Sequence, residues 1–261
     1  MGDFKDGYVL VFDLETQNLT TEVPGRYRDE KIMNLEISCG CGVQLPLELC
    51  RDPNDRHLAF ELRKEHTVWF DSTEPGKRIE DLLVLMDHAH LIVAYNQFGF
   101  DCCVLKKYYT SMDRFYLHLQ KQLDVFAGVR GALTSERWPK LDWLLAQNRL
   151  EAKEASGVEA VSWFKTGTPE ALAKLESYCL ADTNLLCKLS LLHELNIGRG
   201  DRPLPNYCFG IASAIAARDR SLALMSEDEK QERESLRNSP TRNPSPLRPP
   251  FMTQTKTQIP S

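Results

Sequence analysis

Four carboxylates in this chain stand where carboxylates are costly. Asp13 and Glu15 end the run Tyr8–Thr16, which reads YVLVFDLET and has no polar residue before Asp13. Asp101 follows a second apolar run, Leu91–Tyr95. Asp182 falls in the middle of a helical face marked by Leu175, Tyr178, Leu185, Leu186, Leu189 and Leu192. Each has an ordinary explanation taken alone. D-x-E after a strand is also a solvated acidic turn, and Asp101 suits the first turn of a helix, where the helix dipole favours it. Asp182 is equally a partner for a distant arginine or lysine. Gathered in one place, the four are a different matter. Two carboxylates about 4 Å apart repel by roughly 4 kcal/mol at an effective dielectric near 20. Hard divalent cations with oxygen ligands, Mg²⁺ or Mn²⁺, are the natural partners of such a pool. Two such ions make the clamp used in phosphodiester displacement. Tyr178, one turn before Asp182, is placed to orient a water there. A fold that kept Asp182 away from Asp13, or locked either into a pair with a lysine or arginine, would leave this phosphodiester chemistry without a basis.

The elements that must position these residues follow from periodicity. Tyr8–Phe12 predicts a central strand buried on both faces, and i, i+2 spacing puts Asp13 and Glu15 on one of them. Lys31–Leu45 and Thr67–Phe70 predict two further strands, making an antiparallel meander. Ile79–Met86 has helical spacing. Leu91–Tyr95 reads as a fourth buried strand, with a helix over Phe100–Tyr109. Met112–Val129 reads as helical, ending in a short strand near Leu123–Phe126. Leu141–Gln147 is a helix, and Glu151–Phe164 has no readable period. Thr168–Leu195 is the clearest helix, with Thr168 as cap, Pro169 at its first position and Glu170 in its first turn. Ile211–Ala217 suits a last short helix. These elements suit an α/β fold, a mixed sheet flanked by helices, meander first and parallel strands after; one such five-stranded sheet has the order 3-2-1-4-5. In that order the ends of strands one and four are neighbours, and the long helix can cross them.

Composition narrows the class. The chain has 261 residues, 42% of them hydrophobic and 26% charged, as in an ordinary soluble globular domain. No apolar run reaches membrane-span length, and Met1–Tyr8 has no apolar core of a signal peptide, so the expectation is an intracellular protein, nuclear or cytoplasmic, with no membrane partner. The eight cysteines match no zinc spacing and suit reduced, buried thiols. Net charge is −5, so a nucleic-acid contact is expected to be local, a grip on an end rather than a long footprint. Composition places a domain at residues 1–222. Residues 223–261 read as a disordered tail: a charged run, then a Pro/Ser-rich stretch holding Ser239-Pro240 and Ser245-Pro246.

Three short motifs now line up. Phe12-Asp13-Leu14-Glu15-Thr16 is D-x-E; Asn96 to Asp101 is N-x3-F-D; Tyr178 to Asp182 is Y-x3-D. In order, with buried strands before the first two, they resemble the DEDD family of 3′–5′ exonucleases. The resemblance covers Tyr8 to Leu195. The family's other subtype has a histidine five residues before the last Asp; here that residue is Ser177, so the chain resembles the tyrosine subtype. It is also similar to the proofreading domains of family-B DNA polymerases. The spacing of Lys153, Gly157, Trp163, Gly167 and Tyr178-Cys179 is similar to predicted exonucleases of bacteria and viruses.

The resemblance implies an RNase H-like fold and two Mg²⁺ or Mn²⁺ ions. It implies hydrolysis at single-stranded or frayed 3′ ends of DNA or RNA, with release of nucleoside monophosphates. By position, Asp13 would bridge both ions, Glu15 and Asp182 would complete the site of the attacking water, and Asp101 would serve the second ion. Tyr178 would orient the water. Asn96 would help hold the site or the 3′-terminal nucleotide, and Leu14, Thr16 and Phe100 would meet the substrate. Two other readings remain at this point. One is a catalytically quiet RNase H-like module that binds nucleic acid or protein. The other is a stand-alone proofreading subunit acting with a polymerase, or with a replication or repair partner held through the tail.

Other features have bland explanations. Asp87-His88-Ala89-His90 suits a polar helix end. Lys106-Lys107-Tyr108-Tyr109 suits a solvated helix face, with phosphate contact and base stacking as the alternative. Trp138, Trp143 and Trp163 suit core or pocket-wall positions.

Overall fold

The first strand, β1 (Tyr8–Thr16), is the middle of the sheet. It is followed by α1 (Arg28–Met33), β2 (Ile37–Pro46), α2 (Leu47–Arg51), α3 (Arg56–Glu61) and β3 (Lys64–Trp69). Then come α4 (Lys77–His88), β4 (Leu91–Ala94), α5 (Asp101–Leu105), α6 (Met112–Leu119), β5 (Gln122–Asp124) and α7 (Val125–Ala132). The chain continues through α8 (Leu141–Gln147), α9 (Gly157–Thr166) and α10 (Pro169–Ser190). A small hairpin-like pair, β6 (Glu194–Leu195) and β7 (Leu204–Pro205), precedes α11 (Ile211–Ala223) and α12 (Glu227–Asn238). This computed structural model describes residues 4, 7–52, 54–69, 77–133, 138–197, 204–205 and 210–238.

The five-stranded sheet has the order β3-β2-β1-β4-β5. β1 pairs antiparallel with β2, and β2 with β3, so the meander is as expected. β4 runs parallel to β1 and β5 parallel to β4. Alternation along β1 builds two cores. Leu10, Phe12 and Leu14 pack on one face with Leu82, Leu83 and Met86 of α4. Val9 and Val11 pack on the other with Leu185, Leu186 and Leu189 of α10 and Ile211 of α11. Asp13 and Glu15 continue the second row, toward α10.

Several elements differ from the expectation. The second strand starts at Ile37, because residues before it form α1. Glu30 accepts from the Arg26 N–H at 2.7 Å and so satisfies a donor at the helix start, while Ile32 is buried. The long helix stops at Ser190 rather than Leu195. Beyond it the Asn196 N–H donates to Asn148 Oδ1 at 2.8 Å, which ties the chain back to the end of α8. The charged run placed in the tail is helical as α12. Ser226 and Glu229 bond each other's backbone N–H at its start, a reciprocal cap that its composition carries. Phe70, the end of the third expected strand, and residues 239–261, with both Ser-Pro pairs, lie outside the described residues. Among the described residues no helix is long and apolar enough to cross a membrane. The described cysteines are free thiols.

Candidate active site

β1 is longer than its parallel neighbour. Pairing with β4 ends at Val11 opposite Val93, and Phe12–Thr16 run past it. The overhang delivers Asp13 and Glu15 to a cavity of about 450 Å³, within the ~300–1,000 Å³ range of ligand clefts. Across it lies α10. Its leucines pack on Val9 and Val11, so Asp182 and Tyr178, nearer its start, meet Asp13 and Glu15. The register is held by Cys39, Cys41 and Cys179, which pack together with Leu175 and Tyr178 beneath the acids. The Cys179 thiol donates to the Asp13 carbonyl at 3.8 Å. One carboxylate oxygen from each of Asp13, Glu15 and Asp182 lies within 4.8 Å of the others.

Asp101 reaches the same cavity from a separate turn. Asn96 has a left-handed backbone, φ +62°. Its N–H donates to Asp124 Oδ1 at 2.9 Å and the Phe98 N–H donates to Asp124 Oδ2 at 3.1 Å. The same carboxylate accepts from Ala127 N–H and caps α7. Gly99 lets the Asn96 side chain approach, since a Cβ there would meet Asn96 Oδ1 at 2.7 Å and the amide would have to shift. The turn therefore starts α5 with Asp101 lining the cavity together with Leu14. Asp101 is 3% exposed, and its Oδ1 has no hydrogen-bond partner. It stands outside the close trio.

The electrostatics follow from burial. Asp13 is pushed up to about 7, first by burial, with Lys153 lowering it and Asp182 raising it. Glu15 and Asp101 are held well above the usual carboxylate range, first by burial and then by the charge of Asp13. Burial also raises Asp182, against the pull of Lys153. The Tyr178 phenol is pushed far up by burial and by the charges of Glu15 and Asp182, so it stays neutral.

Lys153 overturns one expectation. Its Nζ lies 2.6 Å from Asp182 Oδ2 and 5.4 Å from the centre of the Tyr178 ring. An acid of the pool is thus paired with a lysine. Burial alone would lower the Lys153 pKa, but Asp13 and Asp182 outweigh it and the ammonium persists. One ammonium does not neutralise four carboxylates, and the remaining acids are left to protons or to further cations. A hard-cation site fits this donor set: three converging carboxylates, and a fourth with a buried oxygen lacking a partner. Asn96, Leu14, Thr16 and Phe100, expected at the substrate, all line the cavity. Trp138 lines it as well, at one of the expected pocket-wall positions. Lys153 in the cavity wall, and Asp124, which holds the Asn96 turn, were not expected. Asp124 had a visible signal, an Asp closing a short strand before a helix.

The remaining motifs resolve structurally. Asp87 pairs with Arg114 at 2.6 Å and His118 at 2.7 Å, and His90 with Asp219 at 2.9 Å. Lys107 pairs with Glu36 at 2.8 Å, and the Tyr108 hydroxyl donates to the same carboxylate. Tyr109 is buried, 2.7 Å from His118 Nδ1, and so is no stacking surface, while Lys106 is exposed and Lys107 and Tyr108 are half-buried. Trp163 sits edge-on to Tyr178, centroids 5.9 Å apart.

No protein-family model matches the chain, and no curated protein does. Among solved structures, it is similar to the family B DNA polymerase of the archaeon Pyrobaculum calidifontis, with a TM-score of 0.50 and 13% identity. The match covers 88% of this chain and 29% of the polymerase, a likeness of fold alone.

Proposed function

We propose that the protein is a metal-dependent 3′–5′ exonuclease that hydrolyses phosphodiester bonds at single-stranded or frayed ends. The observation that carries this reading is the convergence of Asp13, Glu15 and Asp182, from one strand overhang and one helix, with Asp101 in the same cavity. The likeness to a DNA polymerase supports a nucleic-acid enzyme.

Mg²⁺ or Mn²⁺ held by these carboxylates would activate water and neutralise charge building on the phosphate. The chain supplies the rest. Asp13, Glu15, Asp101 and Asp182 are the ligands. The neutral phenol of Tyr178 holds and aligns the attacking water as a hydrogen-bond partner. Lys153 keeps Asp182 in place and adds positive charge near the scissile group. Leu14, Thr16, Asn96 and Phe100 seat the terminal nucleotide. The test is purified protein with 5′-labelled single strands and Mg²⁺. A ladder shortening from the 3′ end is expected, and Asp13→Ala, folded but inert, ties it to this site. Intact substrate with both DNA and RNA would count against the proposal.

The Lys153–Asp182 pair favours a second reading, a quiet binding module in which the lysine replaces the metal. That module would bind single strands without cleaving them, and Mg²⁺ would not raise its melting temperature.

A further inference from the structure

We infer that Trp138 is a stacking platform for one nucleobase of a single strand whose end lies at the acids. The inference rests on the exonuclease reading and adds how the strand is held. Trp138 lines the same cavity as Asp13, Glu15, Asp101 and Tyr178, yet it is 56% exposed, unusual for the largest apolar side chain.

The indole is fixed from behind. Its ring centre lies 4.5 Å from that of Phe126 at 41°, and Phe126 in turn sits edge-on to Tyr95 at 5.8 Å. The Tyr95 hydroxyl donates to the carbonyl of the next residue, Pro139, at 2.8 Å. An aromatic held this firmly at a cavity wall loses little freedom when a flat ligand covers it. Lys140, two residues on, is exposed and lines the same cavity. A ring for a base beside a cation for a phosphate is the pairing that grips unstacked strands. Because stacking on the indole requires a base free of its duplex neighbours, the preferred end is single-stranded or frayed.

The test measures binding of labelled single strands, DNA and RNA, with Ca²⁺ in place of Mg²⁺ so that the strand stays intact. Wild type, Trp138→Ala and Trp138→Phe are compared on strands carrying one abasic position, moved stepwise through the last few nucleotides. Trp138→Ala is expected to weaken binding roughly 5- to 150-fold, the value of one base–aromatic stack, and Trp138→Phe by less. At one position the abasic strand should weaken wild type as much, and Trp138→Ala should then add nothing. Trp138→Ala binding every strand within about twofold of wild type, or losses that add at every position, would overturn the platform while leaving the nuclease intact. Wild type that neither binds nor cleaves any strand would overturn both. Unchanged melting of Trp138→Ala confirms that the loss is local.

Discussion

Lys153 Nζ lies 2.6 Å from Asp182 Oδ2, and this contact decides how the acid pool survives without metal. The Asp182 carboxylate is 2% exposed and the Lys153 side chain 21%. Removing one partner of such a pair leaves a buried charge, a loss of up to about 3–5 kcal/mol. Lys153→Met should therefore lower the melting temperature in a chelator. Mg²⁺ should shrink the gap to wild type, because bound ions take over the compensation. Equal losses in both conditions, read by thermal melting, would mean that the lysine is structural only.

The pH dependence has a definite sign. Asp13 is raised from 3.8 to about 7, and Glu15 and Asp101 are raised well above their ordinary values. In that window the folded state holds protons that the unfolded state has released. Stability of the chelated protein should thus fall as pH rises from about 4 through about 7. Melting curves with and without Mg²⁺ check this. A metal-free protein that gains stability over that range would contradict the burial of these acids.

Asp124 is a positioning residue. Its two oxygens accept from Asn96 and Phe98 and it caps α7, so Asp124→Ala leaves backbone donors without partners. A cost of about 1–3 kcal/mol is expected. kcat should also fall, because Asp101 is no longer presented in register. Asp124→Asn, with one acceptor oxygen kept, should recover part of both. Stability loss with unchanged kcat would limit Asp124 to the fold.

Tyr178→Phe removes the phenolic hydroxyl and keeps the ring against Trp163. Melting should change little, while kcat falls by roughly 100-fold or more if the hydroxyl aligns the water. An unchanged kcat would assign Tyr178 to packing.

Much of this was legible in the sequence because burial writes its period into strands and helices. The unbroken run before Asp13 marked the central strand, and alternation put Asp13 and Glu15 on one face. The leucines of α10 showed that Asp182 pointed inward. Lys153 was not legible as a partner of Asp182, because residues 151–156 form no element and carry no period. The start of β2 was blurred by α1, whose single buried residue, Ile32, reads equally well as strand. The exposure of Trp138 depends on Phe126 and Tyr95, which are distant in sequence, so no local pattern announces it.

The central claim is that Asp13, Glu15, Asp101 and Asp182 form a divalent-cation site. Calorimetric titration of the full chain with Mn²⁺ tests it most directly. Saturable binding is predicted for wild type, abolished in Asp13→Ala and Asp182→Ala with their circular dichroism unchanged. Absence of binding to wild type at millimolar Mn²⁺, or equal binding by folded Asp13→Ala, would contradict it.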